Sequence, residues 1–229
     1  MKIKVFELRD DERAAYDRVV ADLSAACEVD WSADTLTSAS LYELDGAEGV
    51  VIVNKSPLVC NTTYPPYGVA EFAVMLMLMA LRKYKPAMWR QQVNDYSLAG
   101  LQGRELRTLT VGIMGTGRIG RAVIDYLSGF GCKIIAYDPF PNKELEQRGD
   151  VTYVGLDDLY AQSDLISVHV PLMDSTRGII DAAAIAKMRD GVVLVNVSRG
   201  ELMDVEALMD GIESEKIGAL AMDVFPEED

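Results

Sequence analysis

Six residues, Gly115-Thr116-Gly117-Arg118-Ile119-Gly120, follow an apolar run at 109–114 and open a segment with helical spacing at 121–127. A second apolar run at 133–137 ends in Asp138, eighteen residues past Gly120. A strand, a glycine turn, a helix, a second strand and an acid at its tip make a grip for a dinucleotide. Gly115 permits the tight turn, Gly117 lets the backbone approach a pyrophosphate, and Gly120 lets the helix pack closely on the sheet. The helix N-terminus, with Arg118 and Ile119 in its first turn, offers unpaired N–H groups and a positive dipole end to phosphates. Arg118 either touches the pyrophosphate or faces solvent. Asp138 can accept hydrogen bonds from a ribose 2′-hydroxyl and repels a 2′-phosphate, so the expected cofactor is NAD rather than NADP.

Other residues with chemical capacity fall at equivalent places. Strands are expected at 109–114, 133–137, 151–154, 165–169, 192–197 and 217–223, with helices at 121–127, 156–162, 182–187 and 204–212. That alternation predicts an α/β fold built on a doubly wound parallel sheet with right-handed crossovers. Ligands bind such sheets beyond the carboxyl ends of the strands. Asp138, His169-Val170-Pro171, Asn196-Val197-Ser198-Arg199-Gly200 and Asp223 all sit at those ends, with Glu227 and Glu228 just beyond. An arginine there can fork two hydrogen bonds to a substrate carboxylate and polarise an adjacent carbonyl. The plainer reading of Arg199 is a surface salt bridge or a turn residue. Glu228 lies in an acidic run, where most carboxylates are simply solvated. Asp204 reads as a cap on the helix it precedes.

These residues have to be held by the rest of the chain. A net charge of −14 over 229 residues argues against nucleic acid or an anionic membrane as a partner. Cys27, Cys60 and Cys132 lack metal-ligand spacing and read as reduced thiols; no metal site is expected. The N-terminus reads as a strand rather than a signal peptide, and the longest apolar stretch, 72–81, is too short to span a bilayer. A soluble, cytoplasmic protein is the expectation. Residues 1–53 suggest strands at 3–7, 28–31 and 49–53 and a helix around 10–26, a thin core for an independent domain. From Pro65-Pro66 one helix is expected to about Lys85, with Glu71 in its first turn, Arg82, Lys83 and Lys85 favouring its last, and Pro86 stopping it. Its middle is apolar on every face and must be buried all round, as a central core helix or between two subunits. Trp31 and Trp89 read as core or interface positions.

Several ordered motifs now resemble one family. Residues 98–106, the glycine turn, Tyr137-Asp138-Pro139, His169-Val170-Pro171-Leu172 with Thr176 and Ile179-Ile180, Asn196-x-x-Arg199-Gly200 with Asp204, and Ala221-Met222-Asp223-Val224-Phe225 look like the D-isomer-specific 2-hydroxyacid dehydrogenases, particularly their D-lactate dehydrogenase branch. The resemblance covers nearly all of 60–229. It implies a Rossmann-type NAD-binding domain at 107–229, a long helix and interface arm at 61–106, and an incomplete flavodoxin-like substrate lobe at 1–60. It further implies a homodimer through the 66–85 helix and interconversion of 2-keto acids with D-2-hydroxy acids of the pyruvate and lactate kind. By position Arg199 would bind and polarise the keto acid, and Tyr64 would approach it. Glu228 would orient and charge the catalytic histidine, and Asp223 would sit near the nicotinamide carboxamide. His169, Val170, Pro171, Thr176, Val197 and Ser198 would lie on the cofactor side.

The sequence departs from that family in two places. Its single histidine, His169, matches the cofactor-side histidine, and the catalytic one is expected beyond Glu228, where the chain stops at Asp229. The passage from 53–57 to 58–61 is abrupt, without the helix, the strand and the glycine loop that hold a substrate carboxylate in the family. The returning C-terminal helix is missing as well. The expectation is a shortened dehydrogenase of low or no activity. A non-catalytic NAD-binding dimerisation module is the alternative, and another NAD-dependent enzyme on the same lobe a weaker third.

Overall fold

The computed structural model describes residues 2–6, 28–31, 49–52 and 65–226. It divides into two units, residues 1–64 and 65–229. The helix expected at 10–26, the passage at 53–61, Tyr64 and Glu228 lie outside the described residues. In the first unit, β1 (Lys2–Phe6), β2 (Glu28–Trp31) and β3 (Gly49–Ile52) form a parallel sheet in the order β2-β1-β3. Ile3 pairs with Val29 on one side and Gly49 on the other.

The second unit holds a six-stranded parallel sheet. Its strands are β4 (Thr110–Met114), β5 (Lys133–Tyr137), β6 (Val151–Tyr153), β7 (Leu165–Val168), β8 (Val192–Asn196) and β9 (Ile217–Met222). Most follow the apolar runs of the sequence to within a residue. The order is β6-β5-β4-β7-β8-β9, so the winding reverses between β4 and β7 and opens a crevice at their carboxyl ends. Every residue of β7 and β8 is buried, as a sheet covered on both faces requires. One face packs on α1 (Tyr67–Leu81) and α3 (Arg118–Ser128), through Ala73, Met77, Val123 and Leu127. The other packs on α5 (Leu156–Gln162), α6 (Ala182–Lys187) and α7 (Val205–Glu213), through Leu159, Ile185 and Leu208. Asp204 caps α7, its Oδ1 accepting from the Ala207 N–H at 2.9 Å.

The helix after the prolines differs from the expectation. It ends at Leu81; Lys83 turns the chain at φ 49°, and α2 (Tyr84–Gln92) follows. Pro86 therefore begins a second helix, at a first-turn position where no N–H is needed for the helical ladder. Glu71 falls beyond the first turn of α1, and Arg82, Lys83 and Lys85 beyond its end. The orphan carbonyl of Leu81 is satisfied by the Arg104 N–H at 3.0 Å. Nor is α1 buried all round: Ala70, Ala73, Val74, Met77 and Leu81 face the core, whereas Met75 is 42% exposed. Trp89, on α2, is 69% exposed and no part of the core. The short helix α4 (Lys143–Arg148) was not expected, because its residues carry almost no apolar period; Asn142 Oδ1 caps it by accepting from the Glu144 and Leu145 N–H groups.

Sheet and helix meet closely at Gly112, in the middle of β4. A Cβ there would lie 2.2 Å from Ser163 Oγ, which itself donates to the Leu159 carbonyl at 2.6 Å. Gly112→Ala is expected to lower the unfolding free energy by about 1–3 kcal/mol, the cost of overpacking a filled core. Adding Ser163→Ala should recover part of that loss, read by urea denaturation of both variants.

Candidate functional site

The glycine turn is built by two close approaches. Gly115 follows β4 with φ 94°, where a side chain is strained, and a Cβ on it would lie 2.9 Å from Val170 N. The turn after β4 therefore presses directly on the turn after β7. A Cβ on Gly120 would lie 2.0 Å from the Gly115 carbonyl oxygen and 3.5 Å from Ile113 Cγ2. Gly120 thus makes room for the turn more than for the sheet, a correction to its expected role. Gly117, the N-cap of α3, has no side-chain cap, and a Cβ on it would meet nothing within 4 Å. The protein itself does not require a glycine there, and the uncapped helix end leaves N–H groups for an anion. Arg118 is exposed and Ile119 half-buried against the core.

Asp138 caps the tip of β5 and is tied to this turn. Its Oδ2 accepts from the Thr116 N–H at 2.7 Å and from the Thr116 hydroxyl at 3.0 Å, and its Oδ1 accepts from the Phe140 N–H at 2.9 Å. Thr116 is only 4% exposed. The acid and the glycine turn form one hydrogen-bonded body.

Beyond β7, the His169 N–H donates to the Met114 carbonyl at 2.7 Å. Its Nε2 lies 2.9 Å from Ser167 Oγ, in a hydrogen bond whose direction depends on the tautomer. Its Nδ1 is buried without a partner, and burial pushes the imidazole pKa down to about 4. The ring is neutral at pH 7. Pro171 is exposed, and Thr176 closes the turn: its hydroxyl donates to the Pro171 carbonyl at 2.6 Å and accepts from the Met173 N–H at 2.8 Å. The Ser198 hydroxyl donates to the Val170 carbonyl at 2.7 Å and so bridges the turns after β7 and β8.

Arg199 stands exposed on the turn after β8, where Nη1 donates to the Ser198 carbonyl at 2.7 Å. Fully buried Asn196 shapes that turn, donating from Nδ2 to the Arg199 carbonyl at 2.8 Å and accepting at Oδ1 from the Ser198 N–H at 3.0 Å. Val197 is buried beside it. In the sequence, the only sign of this part is an amide three residues before an arginine. The Asp223 N–H donates to the Asn196 carbonyl at 3.0 Å. A Cβ on Gly200 would lie 2.1 Å from Pro226 N, so the segment after β9 passes directly over the arginine turn.

The carboxyl ends of β4, β5, β7, β8 and β9 thus gather an anion-ready helix end, a carboxylate, a neutral imidazole and an exposed guanidinium. The uncapped end and the open side of Gly117 fit a dinucleotide's phosphates, and the accepting carboxylate of Asp138 fits its ribose.

The chain is similar to known proteins. Residues 74–229 match the family model described as D-isomer specific 2-hydroxyacid dehydrogenase, NAD binding domain. A D-lactate dehydrogenase of Leuconostoc mesenteroides subsp. cremoris is 35% identical over 267 residues, taking in 100% of this chain and 80% of the relative. The D-lactate dehydrogenase kk1H of Curvularia clavata is 46% identical over 163 residues, 71% of this chain and 46% of its own length. A D-lactate dehydrogenase with NAD+ from Lactobacillus jensenii matches in structure with TM-score 0.84 and 25% identity, over 100% of this chain and 80% of that one. The six-stranded unit is a Rossmann-type NAD-binding domain, and the chain belongs to the D-isomer-specific 2-hydroxyacid dehydrogenase family.

Proposed function

We propose that this chain holds NAD at the glycine turn and presents Arg199 to a 2-keto acid. The reaction served is the interconversion of 2-keto and D-2-hydroxy acids of the pyruvate and lactate kind. The observation that carries the reading is the union of Asp138 with the glycine turn through Thr116, at the point where the strand order reverses. When bound, the nicotinamide supplies or accepts the hydride. The N–H groups of the first turn of α3, from Gly117 through Arg118 and Ile119 to Gly120, would hold the pyrophosphate, while Gly115, whose own N–H donates to the Tyr137 carbonyl, shapes the turn; Asp138 would accept from a ribose hydroxyl. His169, Val170, Pro171, Thr176, Val197, Ser198 and Asp223 line the cofactor side. Arg199, exposed on the turn after β8, forks to the substrate carboxylate and polarises the keto group. Tyr64 and Glu228 take the substrate-facing aromatic and acid roles of the family.

The proton is a separate matter. The 229 residues contain one histidine, His169, which burial keeps neutral at pH 7. It is not an imidazolium donor, which favours cofactor binding with slow turnover. The exposed Met75 on α1 and Tyr84 at the start of α2 support a homodimer through the 66–85 segment, and exposed Met88 and Trp89 continue the apolar surface just past it. Among the described residues no helix is long and apolar enough to cross a membrane, in keeping with a cytoplasmic enzyme.

Titration of the chain with NADH, followed by nucleotide fluorescence, is expected to saturate and to favour NADH over NADPH. Pyruvate added to that complex should be reduced slowly, short of an ordinary dehydrogenase by about 10²–10⁴-fold, the usual worth of a general acid. No binding would overturn the reading, and brisk turnover would overturn the account of the proton.

The neutral histidine also sets a pH dependence. The unfolded imidazole takes up its proton near 6.5 and the folded one only near 4. Its contribution to stability is therefore complete above pH about 6.5 and is lost progressively as pH falls towards 4. Urea unfolding across that window should fall less steeply for His169→Gln than for the parent chain; equal slopes would contradict the assignment.

A further inference from the structure

Thr116 does not hold Asp138 alone. The third and last residue of β6, Tyr153, pairs with Ala136 on β5, which brings its ring beside the tip of that strand. Its hydroxyl accepts from the Asn142 N–H at 3.0 Å and donates to Thr116 Oγ1 at 2.9 Å. Thr116 Oγ1, having accepted that proton, turns its own hydrogen onto Asp138 Oδ2 at 3.0 Å. A relay of donors results, running from Asn142 through Tyr153 and Thr116 to the carboxylate. Its direction is set at the start by a backbone N–H, which can only donate.

We propose that Tyr153 is a positioning residue for dinucleotide selection, acting through Thr116 to lock the carboxylate of Asp138. This rests on the NAD-binding reading above. A threonine hydroxyl left to itself can rotate and either donate or accept. With Tyr153 donating to it, one orientation remains, the one that completes the grip on Oδ2. An ionised carboxylate has about four lone-pair sites. Three are taken, by the Thr116 N–H, the Thr116 hydroxyl and the Phe140 N–H, so the group is fixed in place with capacity left for a ribose hydroxyl. A 2′-phosphate arriving there meets a negative charge that cannot swing aside. Without the relay the carboxylate gains freedom to turn away. The ribose then loses a preset acceptor and the 2′-phosphate escapes part of the repulsion.

The test compares dissociation constants for NADH and NADPH across the parent chain, Tyr153→Phe, Thr116→Val, Thr116→Ser and the Tyr153→Phe/Thr116→Val pair, with thermal unfolding of each measured alongside. Tyr153→Phe keeps the ring and is expected to weaken NADH about fivefold, the effect of one net hydrogen bond, while NADPH changes little. The preference for NADH should therefore narrow by a similar factor. Thr116→Ser, which keeps the hydroxyl, should retain the preference. The double variant should be no worse than Thr116→Val alone, because Tyr153 acts only through that hydroxyl. A purely structural tyrosine would shift thermal unfolding and leave the ratio of the two constants where it was. Binding by the parent with an unchanged ratio in Tyr153→Phe, or additive losses in the double variant, overturns the relay and leaves the NAD reading standing. Binding of neither nucleotide by the parent overturns both.

Discussion

The second unit depends on one close approach, that of Gly120 to the carbonyl oxygen of Gly115. With only 2.0 Å between that oxygen and the place of a Cβ, no other residue fits. The contact draws the first turn of α3 against the turn that leaves β4 and aims the helix end along the crevice. Gly115 makes the companion approach to Val170, so the turns after β4 and β7 are held at contact distance where the sheet reverses its winding. A helix end elsewhere would still carry its partial positive charge. Only here does that charge lie beside an acid and across from the arginine turn on one sheet edge.

Buried polar groups, rather than salt bridges, organise the rest of that edge. Asn196 spends both ends of its amide on the turn that carries Arg199, so an exposed guanidinium stands on a backbone with little freedom. Ser198 ties the same turn to Val170, and Thr116 ties the glycine turn to Asp138. Each uses a neutral donor or acceptor inside the fold to fix a charged group at its surface. That arrangement avoids the desolvation cost of burying the charge itself. Among the described residues His169 alone has a buried side-chain polar atom without a partner, Nδ1, and burial holds its ring neutral.

How much of this the sequence carried depended on whether the deciding contact was local. Most strands of the sheet were plain because they are apolar runs bounded by turn residues, and a sheet covered on both faces demands such runs. The glycine turn was plain because its spacing reflects backbone contacts that only glycine permits. The partner of Gly120 was not, because spacing records that room is needed and not what fills it. The end of α1 at Leu81 was masked by a run apolar on every face, which marks no buried side, and by a proline that starts the next helix as readily as it stops the last. Tyr153 and Asn196 carried no local sign of their work. One acts through the pairing of β6 with β5, the other through a turn closed by its own side chain, and both follow from tertiary geometry.

Gly117 offers the most direct test of the central claim, that a dinucleotide's phosphates lie on the open side of this turn. A Cβ there meets nothing within 4 Å, so Gly117→Val should fold with a loss limited to the N-cap preference for glycine, about 1 kcal/mol, while filling the space a pyrophosphate needs. NADH titration of the two proteins side by side is the measurement. Saturable binding by the parent and its loss in a variant that still unfolds cooperatively is the expected result. Equal binding by both would place the nucleotide elsewhere and contradict the account.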